Sequence, residues 1–158
     1  MKPLRLKMQA FGSYGKETTI DFEKVNQNLF LITGDTGAGK TTIFDAIVFA
    51  LYGEASSSLN KKEGVVLQSQ YVDFDSEPYV ELVFSEGRDE KREIYTVRRV
   101  PRHLKTITRG ANKGKPKENT GSVSLIMPDG LEYPSKEADR KLQETVGLTK
   151  SQFMQVAM

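Results

Sequence analysis

The chain has 158 residues, of which 37% are hydrophobic and 28% are charged, and this composition predicts one soluble globular domain. It contains no cysteine, which excludes disulfides, a thiol nucleophile and a cysteine zinc site. Its 23 basic and 21 acidic side chains leave a net charge of +2, so the distribution of charge matters more than its sum. No apolar run approaches the length of a membrane span, and the charged start does not look like a signal peptide. These features fit a cytoplasmic protein that has no membrane partner.

The first elements in chain order are two short strands. An alternation of apolar and polar residues over residues 4–10 predicts a half-buried strand. Residues 11–15 predict a turn, and residues 18–22 predict a second strand with Ile20 and Phe22 facing inward. We expect these strands to form a hairpin beside the strand that follows in the sequence.

Residues 28–52 carry the strongest pattern in the chain. The apolar run from Leu29 to Ile32 predicts a strand buried on both faces. The next residues match the spacing G-x-x-x-x-G-K-[ST] of the phosphate-binding loop, or P-loop, with Gly34, Gly39, Lys40 and Thr41 at the defining positions. Apolar residues then recur at helical spacing at Ile43, Ala46, Ile47, Ala50 and Leu51, and Gly53 follows as a helix stop.

The chemistry of phosphate binding explains this spacing. Glycine lets the backbone fold into a concave nest whose N–H groups, with the positive end of the helix behind them, hold a phosphate. Lys40 would reach the β- and γ-phosphates, Thr41 would hold Mg²⁺, and Thr42 would bond the α-phosphate. The predicted nucleotide-binding residues are Gly34, Asp35, Thr36, Gly37, Ala38, Gly39, Lys40, Thr41 and Thr42. We expect the Asp35 carboxylate to point away from the phosphates.

The second half of the chain predicts more hairpins and two helices. Residues 80–100 predict a long antiparallel hairpin, and residues 123–127 predict a strand that turns back over residues 131–133. A helix is expected from a cap at Ser135 to a stop at Gly147. Thr149 opens a last helix, in which Gln152 stands at the spacing of a capping box.

One stretch of the chain is strongly basic. Between residues 98 and 117 there is no acidic residue, and the basic ones are Arg98, Arg99, Arg102, Lys105, Arg109, Lys113, Lys115 and Lys117. Arg98 and Arg99 lie on the predicted hairpin, and the others are expected in a loop. This stretch is either a phosphate-binding patch for nucleic acid or a solvated loop. Because it contains no aromatic residue, we expect any nucleic acid to be held by its backbone with little sequence preference.

Hydrolysis of a nucleotide needs a carboxylate at the end of a second buried strand, and the sequence offers no convincing one. Asp129 follows a strand but lies in a turn with no glutamate after it. Glu86 is better explained as part of a hairpin turn. We therefore predict that this segment holds no catalytic residue and that the groups that cleave the nucleotide lie elsewhere.

Four stretches together resemble a known family, namely residues 11–14, 34–42, 44–47 and 147–158. They are similar to the N-terminal segment of the SbcC family, the bacterial SMC-like ATPases of DNA double-strand-break repair. This resemblance implies an α/β fold of the P-loop NTPase type, the N-terminal lobe of an ABC-type ATPase head. It implies a mixed sheet with antiparallel hairpins and a P-loop helix. Residues 1–158 would form one domain, without the C-terminal lobe and the coiled coil.

The resemblance also implies ligands and partners. ATP and Mg²⁺ would bind between two heads, and the complex would include the C-terminal lobe, an SbcD-like nuclease and the DNA backbone, in the cytoplasm at the nucleoid. Where some relatives carry a basic residue that approaches the phosphates, this chain has Gly12, which leaves Ser13 and Tyr14 as candidate contacts. A glutamine that touches Mg²⁺ is expected beyond Met158, so Gln155 is not that residue.

Two alternatives remain open from the sequence. The chain could belong to another ATPase of this kind, such as a chromosome-condensing SMC protein or a RecF-like repair protein. It could also be a binding module without catalysis, in which the P-loop is vestigial and the basic stretch binds nucleic acid. In the main interpretation, the isolated segment binds ATP weakly and does not hydrolyse it.

Overall fold

The structure of the chain is a computed structural model that describes residues 1–24, 31–56, 67–87 and 89–157. Its elements in chain order are β1 (Lys2–Gln9), β2 (Thr18–Asp21), α1 (Lys40–Tyr52), β3 (Tyr79–Glu86), β4 (Glu93–Val100), β5 (His103–Thr106), β6 (Pro116–Asn119), β7 (Ser122–Ile126), β8 (Glu132–Pro134), α2 (Ser135–Val146) and α3 (Lys150–Ala157). A short 3-10 turn at Asp89–Lys91 joins β3 to β4. None of the helices in the described ranges is long and apolar enough to cross a bilayer.

The core lies on one face of a six-stranded sheet with the order β2-β1-β3-β4-β7-β8, in which every pairing is antiparallel. Leu6, Leu82, Val97 and Leu125 stand opposite one another across four strands, and each side chain is 0% exposed. The apolar alternation along each strand produces this row, because alternate side chains point to the same face. The hairpins predicted at residues 4–22, 80–100 and 123–133 are confirmed.

Helix α1 packs against this apolar face. Its predicted apolar stripe is buried, and Val48 and Phe49 are buried as well, so α1 is enclosed on more than one side. The helix ends where predicted, at Gly53, which has a left-handed backbone (φ 75°) and donates its N–H to the carbonyl of Phe49 at 2.8 Å. The burial of α1 fixes the position of the P-loop that precedes it.

The last two helices follow the predicted boundaries with one exception. Gly147 ends α2, and Thr149 and Gln152 form the predicted capping box, with the Thr149 N–H 2.9 Å from Gln152 Oε1. The predicted cap at Ser135 is wrong, because the helix begins at Ser135 itself and no side chain caps it. The preceding residue, Pro134, is still part of β8, so the strand leads directly into the helix.

The strand predicted before the P-loop is not found in the described part of the run. Leu31 is 86% exposed and Ile32 is 39% exposed, and neither lies in a strand, while Leu29 and Phe30 fall outside the described residues. Both edges of β1 are paired, with β2 and β3, and β2 is an edge strand among the described residues. Because half of the predicted strand falls outside the described residues, the expectation that the first hairpin lies beside it stays a prediction.

Truncation of Leu82 should test the position of the core. We expect Leu82→Ala to lower the free energy of unfolding by about 2–5 kcal/mol, because it leaves a cavity in the row of buried side chains. Val83→Ala, on the same strand but on the opposite and partly exposed face, should cost clearly less. Urea denaturation of both variants measures the difference, and equal losses would contradict this assignment of faces.

Candidate nucleotide-binding site and basic hairpin

The P-loop runs along the surface and enters α1 through two glycines with positive φ. Gly37 has φ 87°, and Gly39 has φ 83° and serves as the N-cap of α1. An L-residue at either position would be strained, which explains why glycine stands there. The Ala38 N–H donates to the carbonyl of Asp35 at 3.1 Å and tightens the loop. The structure therefore places an exposed, sharply turned loop at the N-terminus of a buried helix.

Lys40 closes this loop. Its Nζ donates hydrogen bonds to the carbonyls of Gly34 and Asp35, both at 2.6 Å. The ammonium group is therefore fixed at the start of the loop, where it adds a positive charge to the N-terminal end of α1. An incoming phosphate would compete with the two carbonyls for the N–H donors of Lys40.

Thr41 and Thr42 follow in the first turn of α1, and they differ in environment. Thr41 is exposed, so its hydroxyl is accessible to a metal ion. Thr42 Oγ1 lies 3.1 Å from Ser13 Oγ, which is a hydrogen bond between two residues far apart in the sequence. The predicted contact residues Ser13 and Thr42 are thus brought together.

The turn formed by residues 11–14 packs directly against the P-loop. It is closed by two backbone hydrogen bonds of 2.9 Å between Phe11 and Tyr14. A Cβ on Gly39 would lie 3.1–3.3 Å from atoms of the Tyr14 ring, and a Cβ on Gly12 would lie 2.6 Å from Thr42 Cγ2. The sequence analysis explained the glycines of the P-loop by the backbone freedom that a phosphate-binding nest needs. The contact with Tyr14 is a second constraint on Gly39, and it depends on the fold.

Among the described residues, the acidic side chains considered for catalysis have other partners. Glu86 is ion-paired with the amino group of Met1 at 2.8 Å, and Asp129 accepts the N–H of Leu131 at 3.0 Å within its turn. Sequence reasoning missed Asp45, a buried acid in α1 whose Oδ1 accepts hydrogen bonds from the N–H and the hydroxyl of Ser56. These contacts make Asp45 an anchor for the chain that leaves α1.

The predicted basic residues fall into two groups, and the structure separates the neighbours Arg98 and Arg99. Arg99 is only 7% exposed, donates from Nε to the carbonyl of Ala50, and is ion-paired with Asp139 at 2.7 Å. Its prediction as a DNA contact is therefore wrong, because successive strand residues point to opposite faces and Arg99 points into the core. Arg102 is paired with Glu118.

Arg98 lies on the other face of the sheet, in a small charged network. Its guanidinium stacks 3.7 Å from the centre of the Tyr79 ring and lies 3.5 Å from Glu81. Tyr79 donates a hydrogen bond to Glu17, which lowers the pKa of Glu17, while burial raises the pKa of Tyr79 to about 12. Arg98 is thus partly exposed but already holds an intramolecular partner.

The rest of the basic stretch is a hairpin rather than the predicted loop. β5 and β6 pair with Lys105 directly opposite Lys117, and the tip is ordered by hydrogen bonds from the Ile107 N–H to Lys115 and from the Gly114 N–H to Ile107. This hairpin was not predicted from the sequence because its strands lack the alternation of apolar and polar residues. Five basic side chains on it are exposed and make no ion pair with a described residue, and these are Lys105, Arg109, Lys113, Lys115 and Lys117.

The ion pair between the buried Arg99 and the half-exposed Asp139 can be tested by stability. We expect Asp139→Asn to lower the free energy of unfolding by about 1–3 kcal/mol, because Arg99 then loses its charged partner while it stays buried. The control is Glu81→Gln, which breaks the pair with Arg98 and should cost less than about 1 kcal/mol, because the Arg98 side chain is far more exposed than that of Arg99. Chemical denaturation of both variants gives the comparison, and a larger loss for Glu81→Gln would contradict the assignment.

Comparison with known proteins gives matches along the whole chain. A family model described as "AAA domain" matches residues 5–158. The SbcC component of the nuclease SbcCD from Vibrio cholerae is 34% identical over 160 residues, covering 99% of this chain and 15% of the relative. The protein of the same name in Staphylococcus saprophyticus is 32% identical over 162 residues, with the same two coverages. The one in Staphylococcus epidermidis is 58% identical over 74 residues, which cover 46% of this chain and 7% of the relative.

A solved structure supports the fold. It is described as "Structural biochemistry of ATP-driven dimerization and DNA stimulated activation of SMC ATPases", and it aligns with a TM-score of 0.59 over 94% of this chain and 81% of that chain. The sequence identity is 20%, so this likeness shows the fold alone. The predicted α/β lobe with antiparallel hairpins and a P-loop helix is confirmed. The chain spans about 15% of the length of the curated relatives that match it along its whole length.

Proposed function

The chain belongs to the AAA domain family, and we propose that it is the ATP-binding lobe of an SbcC-like ATPase that acts with a nuclease on DNA ends. One observation carries the nucleotide-binding part of the proposal. Lys40 is fixed at the N-terminus of a buried helix by the carbonyls of Gly34 and Asp35, next to the Ser13–Thr42 hydrogen bond. The similarity to SbcC proteins, first inferred from short motifs, is confirmed over 99% of the chain.

The residues of the P-loop fit a nucleoside triphosphate with a divalent metal. The backbone amides of residues 34–39 and the Lys40 ammonium would hold the phosphates, and Thr42 would exchange its bond with Ser13 for one to the α-phosphate. Mg²⁺, when bound, neutralises charge on the phosphate oxygens, and the exposed Thr41 hydroxyl is the side chain of this chain that would hold it. Asp35 is exposed, which supports the proposal that its carboxylate stays in solvent.

Catalysis in this proposal depends on groups outside the segment. The acids considered for the role, Glu86 and Asp129, are engaged with other parts of the described chain, and Asp45 is bound to Ser56. A C-terminal lobe and a second head would therefore complete the site and cleave the nucleotide. Residues 1–158 would form a single domain of that head, in a cytoplasmic protein that works at the nucleoid with an SbcD-like nuclease.

The basic hairpin is proposed to bind the DNA backbone. Its five exposed basic side chains have no acidic partner among the described residues, and Lys105 and Lys117 face each other directly. Like charges opposite each other destabilise a hairpin, and a bound polyanion relieves that repulsion. The hairpin offers no aromatic residue for stacking, which favours backbone contacts without sequence preference. Arg98 and Arg102 would add less, because each already pairs with a glutamate.

Replacement of the P-loop lysine tests the nucleotide site. In the full-length gene product we expect Lys40→Ala to weaken binding of a fluorescent ATP analogue by at least about tenfold, since it removes the charged phosphate donor. Lys24→Ala, a change of the same charge at an exposed position, should bind the analogue as the parent protein does. Equal affinities for the parent and Lys40→Ala would contradict the proposed site.

The 158-residue chain alone should lack steady-state ATPase activity. The expectation follows from the proposal that the catalytic carboxylate lies in another lobe. Release of inorganic phosphate from ATP and Mg²⁺ measures it, with the full-length gene product as the active reference. Turnover by the isolated chain that disappears in Lys40→Ala would show that the segment contains its own catalytic groups.

The salt dependence of duplex binding tests the hairpin. If all five exposed basic side chains meet phosphates, log K should fall with log salt at a slope of about −4.5, and Lys113→Ala with Lys117→Ala should reduce it to about −2.7. The control pair, Lys136→Ala with Arg140→Ala, removes the same charge from α2 and should keep the slope. Fluorescence anisotropy with a labelled duplex at several salt concentrations gives both slopes, and an unchanged slope in the hairpin variant would contradict DNA binding there.

A further inference from the structure

The side chain of Gln68 joins the basic hairpin to the neighbourhood of the P-loop. Gln68 is only 8% exposed, and its Oε1 accepts the backbone N–H of Leu104 at 2.9 Å. Its Nε2 donates to the backbone carbonyl of the same residue at 3.0 Å. Leu104 lies on β5, where its strand partner is Glu118 of β6. The Gln68 amide thus pairs with both backbone groups of one hairpin residue, as a neighbouring strand would.

The backbone around Gln68 holds the turn that touches the P-loop. Gly12 donates its N–H to the carbonyl of Leu67 at 2.9 Å, and the Ser69 N–H donates to the carbonyl of Ala10 at 2.7 Å. Gln68 itself forms a bridge with Phe11. Residues 67–69 are therefore hydrogen-bonded on one side to residues 10–12 and on the other side to the hairpin.

The last link runs from this turn to the helix of the P-loop. Ser13 is hydrogen-bonded to Thr42, and the Tyr14 ring lies against Gly39. Thr42 has two alternative partners if nucleotide binds as proposed, because its hydroxyl can bond either Ser13 or a phosphate oxygen. A change of partner at Thr42 acts on a turn that is hydrogen-bonded directly to residues 67–69.

We propose that Gln68 is a positioning residue that couples nucleotide binding at the P-loop to DNA binding on the β5–β6 hairpin. This inference rests on the proposed function of both sites. Coupling of two binding equilibria is reciprocal, so DNA must change the affinity for nucleotide by the same factor by which nucleotide changes the affinity for DNA. Gln68 carries the coupling because its amide group both donates to and accepts from β5, whereas a glutamate only accepts and a methionine does neither.

The experiment compares Gln68→Met with its matched control Gln70→Met in the full-length gene product. Gln70 lies two residues away and is exposed, and among the described residues its side chain makes no hydrogen bond to the hairpin, so its replacement removes the same amide group without breaking such a bond. For each protein we measure affinity for a non-hydrolysable ATP analogue with and without saturating duplex, and duplex affinity with and without the analogue. In Gln68→Met, the factor by which one ligand changes the affinity for the other should be at least about threefold smaller than in the parent protein. Each affinity measured alone should stay within about twofold of the parent.

A merely structural role for Gln68 predicts a different pattern. In that case Gln68→Met would lower the affinity for each ligand measured alone and leave the ratio between coupled and uncoupled affinities unchanged. This result would overturn the proposal. Gln68→Glu keeps one of the two hydrogen bonds and should give an intermediate ratio. If Gln68→Met does not fold, the test uses Gln68→Glu instead. A ratio between coupled and uncoupled affinities equal to that of the parent protein would then overturn the proposal.

The parent protein separates failure of this inference from failure of the proposed function. A parent that binds neither the analogue nor the duplex refutes the proposed function. A parent that binds both, but with no effect of one on the other, refutes only the coupling. Hydrogen exchange gives an independent measurement: the analogue should change the exchange rate of the amides in residues 103–106, and unchanged rates there would overturn the proposal.

Discussion

The burial of α1 against the sheet is the constraint on which the candidate site depends. The row formed by Leu6, Leu82, Val97 and Leu125 gives α1 an apolar surface, and the helix carries the P-loop at its N-terminal end. On the other side of the loop, Leu31 and Ile32 are exposed and lie in no strand. The loop is thus fixed from the helix side, and Lys40 adds a local closure through its bonds to Gly34 and Asp35.

The distribution of charge follows from the same fold. Strand alternation sends Arg99 into the core, where Asp139 and the carbonyl of Ala50 satisfy it, and sends Arg98 to the outer face. The hairpin beyond them holds five exposed basic side chains that have no acidic partner among the described residues. The net charge is only +2, but positive charge is concentrated locally on this one hairpin. A polyanion is the ligand class that such an element suits best.

The sequence predicted those features that depend on local patterns. The P-loop spacing, the caps at Gly53 and Gly147, the Thr149–Gln152 box and the apolar alternation of β1, β3, β4 and β7 all depend on residues within one turn or strand. The sequence-based predictions were wrong where the local structure depends on tertiary contacts. The cap predicted at Ser135 is wrong because β8 leads directly into α2, and Leu31, which was predicted in a buried strand, is 86% exposed. The contacts of Tyr14 with Gly39, of Gln68 with Leu104 and of Asp45 with Ser56 join residues whose pairing has no sequence signal.

The main-chain amides of the P-loop, together with Lys40, are proposed to bind the phosphates of a nucleoside triphosphate, and the rest of the account depends on this proposal. Nitrogen-15 NMR of the 158-residue chain, titrated with a non-hydrolysable ATP analogue and Mg²⁺, tests this claim most directly. We expect the largest amide shift changes at residues 34–42, because hydrogen bonds to phosphate oxygens form at those amides. Because the isolated segment is expected to bind weakly, the titration extends far above the analogue concentrations that saturate the full-length gene product. Unchanged shifts for residues 34–42 over that whole range, or changes confined to other parts of the chain, would contradict the account.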